Sequence, residues 1–230
     1  MSSLLSKSTT SAIPQPLSTS QFRVKVLPGD KWILPGTSGC GKTTAFKYLD
    51  AAYGRLFPTM THYVFDSKND GDFDTWPGLV QQDKAPGRPQ GLYQVWQPVK
   101  LIPSEIEKWL DMILHNGAGI LGIDELLHLC YGADRYSEKY NEILKTGRSK
   151  KIGVITLTQE FSRIPPNSYN QSNHRLGFYI EGEYNKRIRN NLLKYKVDDP
   201  DDWHGFYYQH INGRGQPRYF RNVQSFLGVS

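Results

Sequence analysis

No run of apolar side chains in these 230 residues approaches the roughly 18 that a membrane span needs, so nothing here is expected to cross a bilayer unaided. Cysteine is scarce. Cys40 and Cys130 cannot build a disulfide framework, and Cys40 lies inside a glycine-rich stretch, which points to a reducing compartment. The six histidines show no paired spacing with one another or with the cysteines, which argues against a zinc site. Asp66, Asp70 and Gly71 mimic a calcium loop, but Lys68 falls on a ligand position and Pro77 where the closing glutamate belongs. No serine sits in a nucleophile elbow, and no internal repeat is visible. Residues 1–20 have no acid, no arginine and no long apolar centre, so neither a signal nor a transit peptide is read there. They read as a flexible Ser/Thr/Pro-rich tail, with residues 21–230 as one domain.

What is present begins with 38% hydrophobic and 13% aromatic residues, the composition of a globular chain. The net charge of +6 inclines it modestly towards polyanions. Short apolar runs alternate with helical patterns: strands at 31–34, 62–66, 92–96, 119–125 and 152–159, helices at 44–53, 103–117 and 137–147. Pro103 and Ser104, the latter read as N-cap, open the second helix, and Gly117 closes it; the third is expected to end at Gly147. Near-continuous apolar strands between helices predict an α/β fold with a mainly parallel central sheet covered on both faces. Residues 66–91 form the one long connection, read as a surface insertion or functional loop and not as a core element. A basic helical stretch follows residue 182, and a C-terminal β-hairpin is expected to turn near Asn212 to Gly215.

The stretch "GTSGCGKTT" (36–44) fits the phosphate-loop pattern through Gly36, Gly41, Lys42 and Thr43, and it lies between a strand and a helix. The backbone N–H groups of Gly36, Thr37, Ser38, Gly39, Cys40, Gly41, Lys42, Thr43 and Thr44 are positioned to wrap phosphate oxygens. Lys42 would reach the terminal phosphates of ATP, and the Thr43 hydroxyl would hold Mg²⁺. Asp124 ends an apolar strand and suits Mg²⁺, and Glu125 beside it suits a base acting on water. The same two acids also favour the start of a helix. Gln159 closes a third strand; its amide would face the γ-phosphate if that strand runs between the other two. Arg148, upstream of that strand on the side away from the phosphates, is either a solvated basic turn or an arginine offered to a neighbouring subunit's nucleotide.

"GTSGCGKTT", "VFDSK", "GILGIDE", "GRSKKIGVITLTQ" and "RIPP", in this order, resemble the HerA–FtsK class of P-loop ATPases over roughly residues 31–166. Within that class the chain looks most like the genome-packaging ATPases of membrane-containing icosahedral viruses such as the tectiviruses. The resemblance implies a P-loop NTPase of the additional-strand, catalytic-glutamate type, with ATP and Mg²⁺ at Lys42, Thr43, Asp124 and Glu125, Gln159 as sensor and Arg148 as finger. It implies a homo-oligomeric, hexameric ring that moves double-stranded DNA, with capsid-vertex or membrane proteins of the virion as further partners. The places implied are the virion vertex and the host cytoplasm. Glu160 departs from the pattern, since many relatives carry arginine after the glutamine, and this leaves Arg163 without a carried-over role. Lys186, Arg187 and Arg189, with nearby tyrosines, are candidates to grip a phosphate backbone, or a solvated basic face. A DNA pump for conjugation or phage extrusion, a small phosphotransferase, and a nucleotide-gated module without turnover are the alternatives.

Overall fold

The computed structural model describes residues 25–131, 136–160, 163–178, 205–209 and 218–220. The tail at 1–20, the basic stretch after 182 and the hairpin turn near Asn212 lie outside them. The elements in chain order are β1 (Lys31–Pro35), α1 (Lys42–Leu56), β2 (Thr61–Phe65), β3 (Leu79–Gln81), β4 (Tyr93–Gln97), α2 (Pro103–Asn116), β5 (Gly119–Ile123), α3 (Glu138–Lys150), β6 (Ile152–Thr158), α4 (Pro166–Gln171), β7 (His174–Phe178), β8 (Gly205–Gln209) and β9 (Arg218–Phe220). The sheet runs β3-β4-β2-β5-β6-β1-β7-β8-β9. The first seven strands in that order are parallel, and β8 and β9 add an antiparallel pair at one edge. The α/β fold with a mainly parallel sheet is therefore the one expected, and β8 and β9 supply the strands of the C-terminal hairpin.

Every residue of β1, β5 and β6 is buried, which is why they read as unbroken apolar runs. Alternation then sorts side chains by face. Trp32, Leu34, Val64, Ile155 and Leu157 pack with Phe46, Leu49 and Tyr53 of α1. Ile33, Tyr63, Phe65, Leu121 and Val154 pack on the other face with α2 and α3. Helix α2 presents Ile106, Trp109, Leu110, Ile113 and Leu114 to that core, the i, i+3, i+4, i+7, i+8 stripe of an amphipathic helix.

Three local expectations are corrected. Ile102, not Ser104, is the N-cap of α2, because Pro103 already has the φ and the missing N–H that suit the first helical position. Helix α3 does not stop at Gly147 but runs to Lys150. A Cβ at Gly147 would lie 2.9 Å from the Ile152 carbonyl oxygen, so this glycine serves close helix–strand packing, not termination. The 66–91 connection is more than a surface insertion: β3 lies within it as an edge strand, and Phe73 is fully buried against Phe46 and Trp76. Three residues flanked by glycine, proline and aspartate gave no periodicity to detect.

Candidate nucleotide site

The carboxyl ends of β1, β6, β5 and β2 lie side by side, so the residues that follow them share one sheet edge. That edge is where open parallel sheets hold ligands. The glycine loop leaves β1 and is tied at its root to the next strand by Gly36 N–H donating to the Thr158 carbonyl at 3.1 Å. Only glycine fits at position 36, where a Cβ would meet Cys40 Sγ at 2.6 Å and Phe178 Cβ at 2.8 Å. Gly41 takes φ 96° immediately before α1, a left-handed turn that drives the chain into the helix. Ser38, Gly39 and Thr44 are exposed, and Thr37, Cys40 and Thr43 half-buried.

Lys42 is buried and folds back over the loop. Its Nζ donates to the Gly36 carbonyl at 2.8 Å and to the Thr37 carbonyl at 2.6 Å. Burial is the main cause that pulls its pKa below the usual lysine value; the Cys40 sulfur and Glu125 oppose this, and Lys68 reinforces it. Burial likewise pushes the Cys40 thiol up, so it stays protonated at neutral pH.

Asp124 and Glu125 follow β5. Asp124 is 1% exposed, and its backbone N–H donates to the Phe65 carbonyl at 3.1 Å, which fixes it beside the end of β2. Lys68 Nζ donates to Asp124 Oδ1 and to the Asp124 carbonyl, each at 3.2 Å, and lies 3.2 Å from Oδ2. Oδ2 has no hydrogen bond despite complete burial. Burial pushes the Asp124 carboxyl up to about 6, with the Lys68 charge and hydrogen bond holding it from going further. Glu125 is 5% exposed and accepts from the Leu127 N–H at 3.4 Å, capping the 3-10 turn Leu126–Leu129. Gln159 is exposed at the tip of β6, which lies between the Asp124 strand and the loop strand as its expected role requires.

The structure thus brings together the 36–44 loop, Asp124, Glu125 and Gln159, and leaves Arg148 apart. Arg148 lies in the last turn of α3 at the amino edge, where its backbone packs against Gly29, two residues before β1. Its side chain is exposed. Lys31 is beside it: burial first, and then the Arg148 charge, pulls the Lys31 amine below its usual value, with Asp30 only partly offsetting them. Arg175 is buried, stacked 3.8 Å over the Tyr169 ring and donating to the Tyr169 carbonyl at 3.2 Å, so it is structural and offers no open basic surface. Arg163 pairs with Glu160 at 3.1 Å on the surface.

Sequence reasoning gave no site role to Lys68, nor to the neighbouring pair in which Ser67 Oγ and His128 Nδ1 lie 2.7 Å apart. The signal was present in "VFDSK", a charged tail on a strand next to the Asp124 strand. Among the described residues, no group of three or more His, Cys, Asp or Glu could hold a metal ion alone. A buried carboxylate oxygen that has the Lys68 ammonium 3.2 Å away but no hydrogen bond, on the same sheet edge as the Thr43 hydroxyl, fits a hard ion such as Mg²⁺ that takes part of its shell from phosphate and water. Among the described residues, no helix is long and apolar enough to cross a membrane.

No family profile and no curated protein matches this sequence. Solved structures do. The genome-packaging NTPase B204 from Sulfolobus turreted icosahedral virus 2, in complex with ATP-gammaS, matches with a TM-score of 0.64 and 17% identity, over 83% of this chain and 97% of that one. EssC (ATPases 2 and 3) from Geobacillus thermodenitrificans matches with a TM-score of 0.62 and 14% identity, over 86% of this chain and 40% of that one. The N-terminal domain of zonular occludens toxin from Neisseria meningitidis gives 0.50 and 12%, over 87% and 98%. At these identities the likeness is one of fold, and at that level the resemblance drawn from the motifs is shown: the chain has the α/β architecture of a P-loop NTPase shared with these proteins.

Proposed function

We propose that this chain is an ATP hydrolase that drives double-stranded DNA, acting as a homo-oligomeric, hexameric ring that packages a viral genome. The observation that carries the hydrolase is the convergence of three strand tips on one sheet edge: the Lys42 loop, Asp124–Glu125 and Gln159, with the Gln159 strand in the middle. A neighbour of the same fold is a genome-packaging NTPase captured with ATP-gammaS, which supports the packaging role; on that reading the chain acts at the virion vertex and in the host cytoplasm. Capsid-vertex or membrane proteins of the virion are the expected docking partners.

In this mechanism the loop N–H groups cradle the phosphates, and Lys42 exchanges the Gly36 and Thr37 carbonyls for the β- and γ-phosphate oxygens. Thr43 and Asp124 would hold Mg²⁺, which would supply neutralisation of charge on the phosphate oxygens. Glu125 takes a proton from a water whose oxygen attacks the γ-phosphorus; the bond to the bridging oxygen breaks, and ADP leaves. Gln159 donates its amide to the γ-phosphate. Arg148, in the last turn of α3 and so at the far end of that helix from its own nucleotide, is presented to the nucleotide of the next subunit, with Lys31 beside it. DNA is held without base readout by basic residues such as Lys186, Arg187 and Arg189.

The test is ATPase rate against protein concentration, with and without duplex DNA. Expected are a rate per chain that rises steeply as chains associate, stimulation by DNA, and loss of activity in assembled Arg148→Ala. A rate per chain independent of concentration and of DNA rejects the ring motor. Activity retained by assembled Arg148→Ala rejects the finger.

A further inference from the structure

The roles assigned above leave Lys68 without one, although it reaches the centre of the site. Its ammonium contacts both oxygens and the carbonyl of Asp124, and only 19% of its side chain is exposed. Its charge is felt at Lys42 and at His128. The backbone beneath it is pinned: Asn69 N–H donates to Asp66 Oδ1 at 3.3 Å, Asn69 Nδ2 donates to the Pro98 carbonyl at 3.2 Å, and Gln97 Nε2 donates to Asp66 Oδ2 at 2.6 Å. Whatever Lys68 does is therefore done by its four-carbon side chain, not by movement of the loop.

The ammonium compensates a buried carboxylate that has no other full complement of partners. For the same reason it obstructs. Asp124 cannot keep this ammonium and also hold a divalent cation, because two cations on one carboxylate repel strongly in a buried site. Lys68 must give way when the site is loaded. Its stem lets it swing, and the new anion within its reach is the phosphate chain held by Lys42, whose charge it already senses.

We propose that Lys68 is a second phosphate-binding lysine, resting on Asp124 in the empty site and transferring to the terminal phosphate of a bound nucleoside triphosphate. Asp124 is freed for the cation by the same movement. A diphosphate offers Lys68 no γ-phosphate, so the site distinguishes the two nucleotides through this side chain. The inference rests on the hydrolase reading above and names a residue that reading does not use.

Sparse amine acetylation of the wild-type chain, read by mass spectrometry at Lys68, tests it in three states: empty, with Mg·ADP, and with Mg·ATP-gammaS. Labelling is expected to be low in the empty protein, several-fold higher with Mg·ADP, and low again with Mg·ATP-gammaS. Equal labelling in all three states, or labelling with Mg·ATP-gammaS as high as with Mg·ADP, overturns the proposal. In equilibrium binding, Lys68→Met is expected to weaken Mg·ATP-gammaS about tenfold while Mg·ADP affinity holds or rises. Equal losses for both nucleotides overturn it. Lys42→Ala abolishing both nucleotides upholds the hydrolase site independently of Lys68; a wild type that binds neither brings down that reading and the Lys68 assignment together.

Discussion

Asp30 and Asp124 are buried aspartates at opposite edges of one sheet, and the fold treats them in opposite ways. At the amino edge, Asp30 accepts from the Leu27 N–H at 2.7 Å and from Asn173 Nδ2 at 2.8 Å, and pairs with His174 Nε2 at 3.1 Å. Burial alone would raise its carboxyl, but the His174 hydrogen bond and charge, with Leu27 and Asn173, outweigh it and hold the group below the usual value. At the carboxyl edge, Asp124 is buried more completely, leans on the single Lys68 ammonium and keeps an oxygen without a hydrogen bond, and burial pushes its carboxyl up to about 6. A fully ligated acid holds a fold together, whereas an under-ligated one is waiting for a ligand. On the proposed function the two edges divide stability from chemistry.

The largest expected effect lies at the chemical edge. Glu125→Gln should lower hydrolysis about a thousandfold while Mg·ATP-gammaS affinity is kept, read by single-turnover rates beside equilibrium binding. Loss of binding in equal measure would make Glu125 a structural cap and blur the division. Next comes its counterpart: Asp30→Ala should cost about 3–4 kcal/mol in urea unfolding, because it strands buried partners, and leave the rate per folded chain unchanged. A rate defect at full folding would break the comparison from the other side.

The third prediction is a pH dependence of opposite sign at the two edges. A carboxyl whose folded pKa is raised binds more protons folded than unfolded, so Asp124 lowers stability as pH climbs from about 4 to about 6, and by a constant amount above that. The stability difference between Asp124→Asn and wild type, without nucleotide, should therefore grow by up to about 3 kcal/mol across that window. Asp30, with a depressed pKa, contributes stability above its unfolded value and loses it as pH falls through the folded one. A flat difference curve for Asp124→Asn would remove the contrast. The smallest effect is a control at the chemical edge itself. Ser137 Oγ accepts from the Tyr140 N–H at 3.0 Å as N-cap of α3, and Ser137→Ala should cost about 1 kcal/mol of stability with no change in nucleotide affinity.

Much of the chemical edge was legible because its parts are local. Gly36 to Thr44 is one continuous stretch, and Asp124 and Glu125 close an apolar run, so spacing alone located them. The placement of the Gln159 strand between the other two followed once strand order was known, and that order depends on pairing between distant segments. Lys68 was hidden for a different reason. Its partner is 56 positions away, so the charged strand end in "VFDSK" could be joined to the Asp124 strand only once the pairing of β2 with β5 was known. Edge strand β3 went unseen because three residues among glycines, prolines and aspartates have no alternation to read. Gly147 misled because glycine ends many helices by conformation, while here it is chosen for its lack of bulk.

Helix α3, capped by Ser137 close in sequence to the acids, runs from Glu138 to Lys150 and carries Arg148 in its last turn on the far rim. At 1.5 Å per residue its 13 residues make a rod of about 20 Å, and Tyr140 OH, 2.9 Å from Thr156 Oγ1, bolts that rod to the central strand. In the proposed head-to-tail arrangement of copies, such a lever would couple the state of one chamber to the trigger of the following one. Sequential firing around a circle would then need no messenger beyond a single stiff helix.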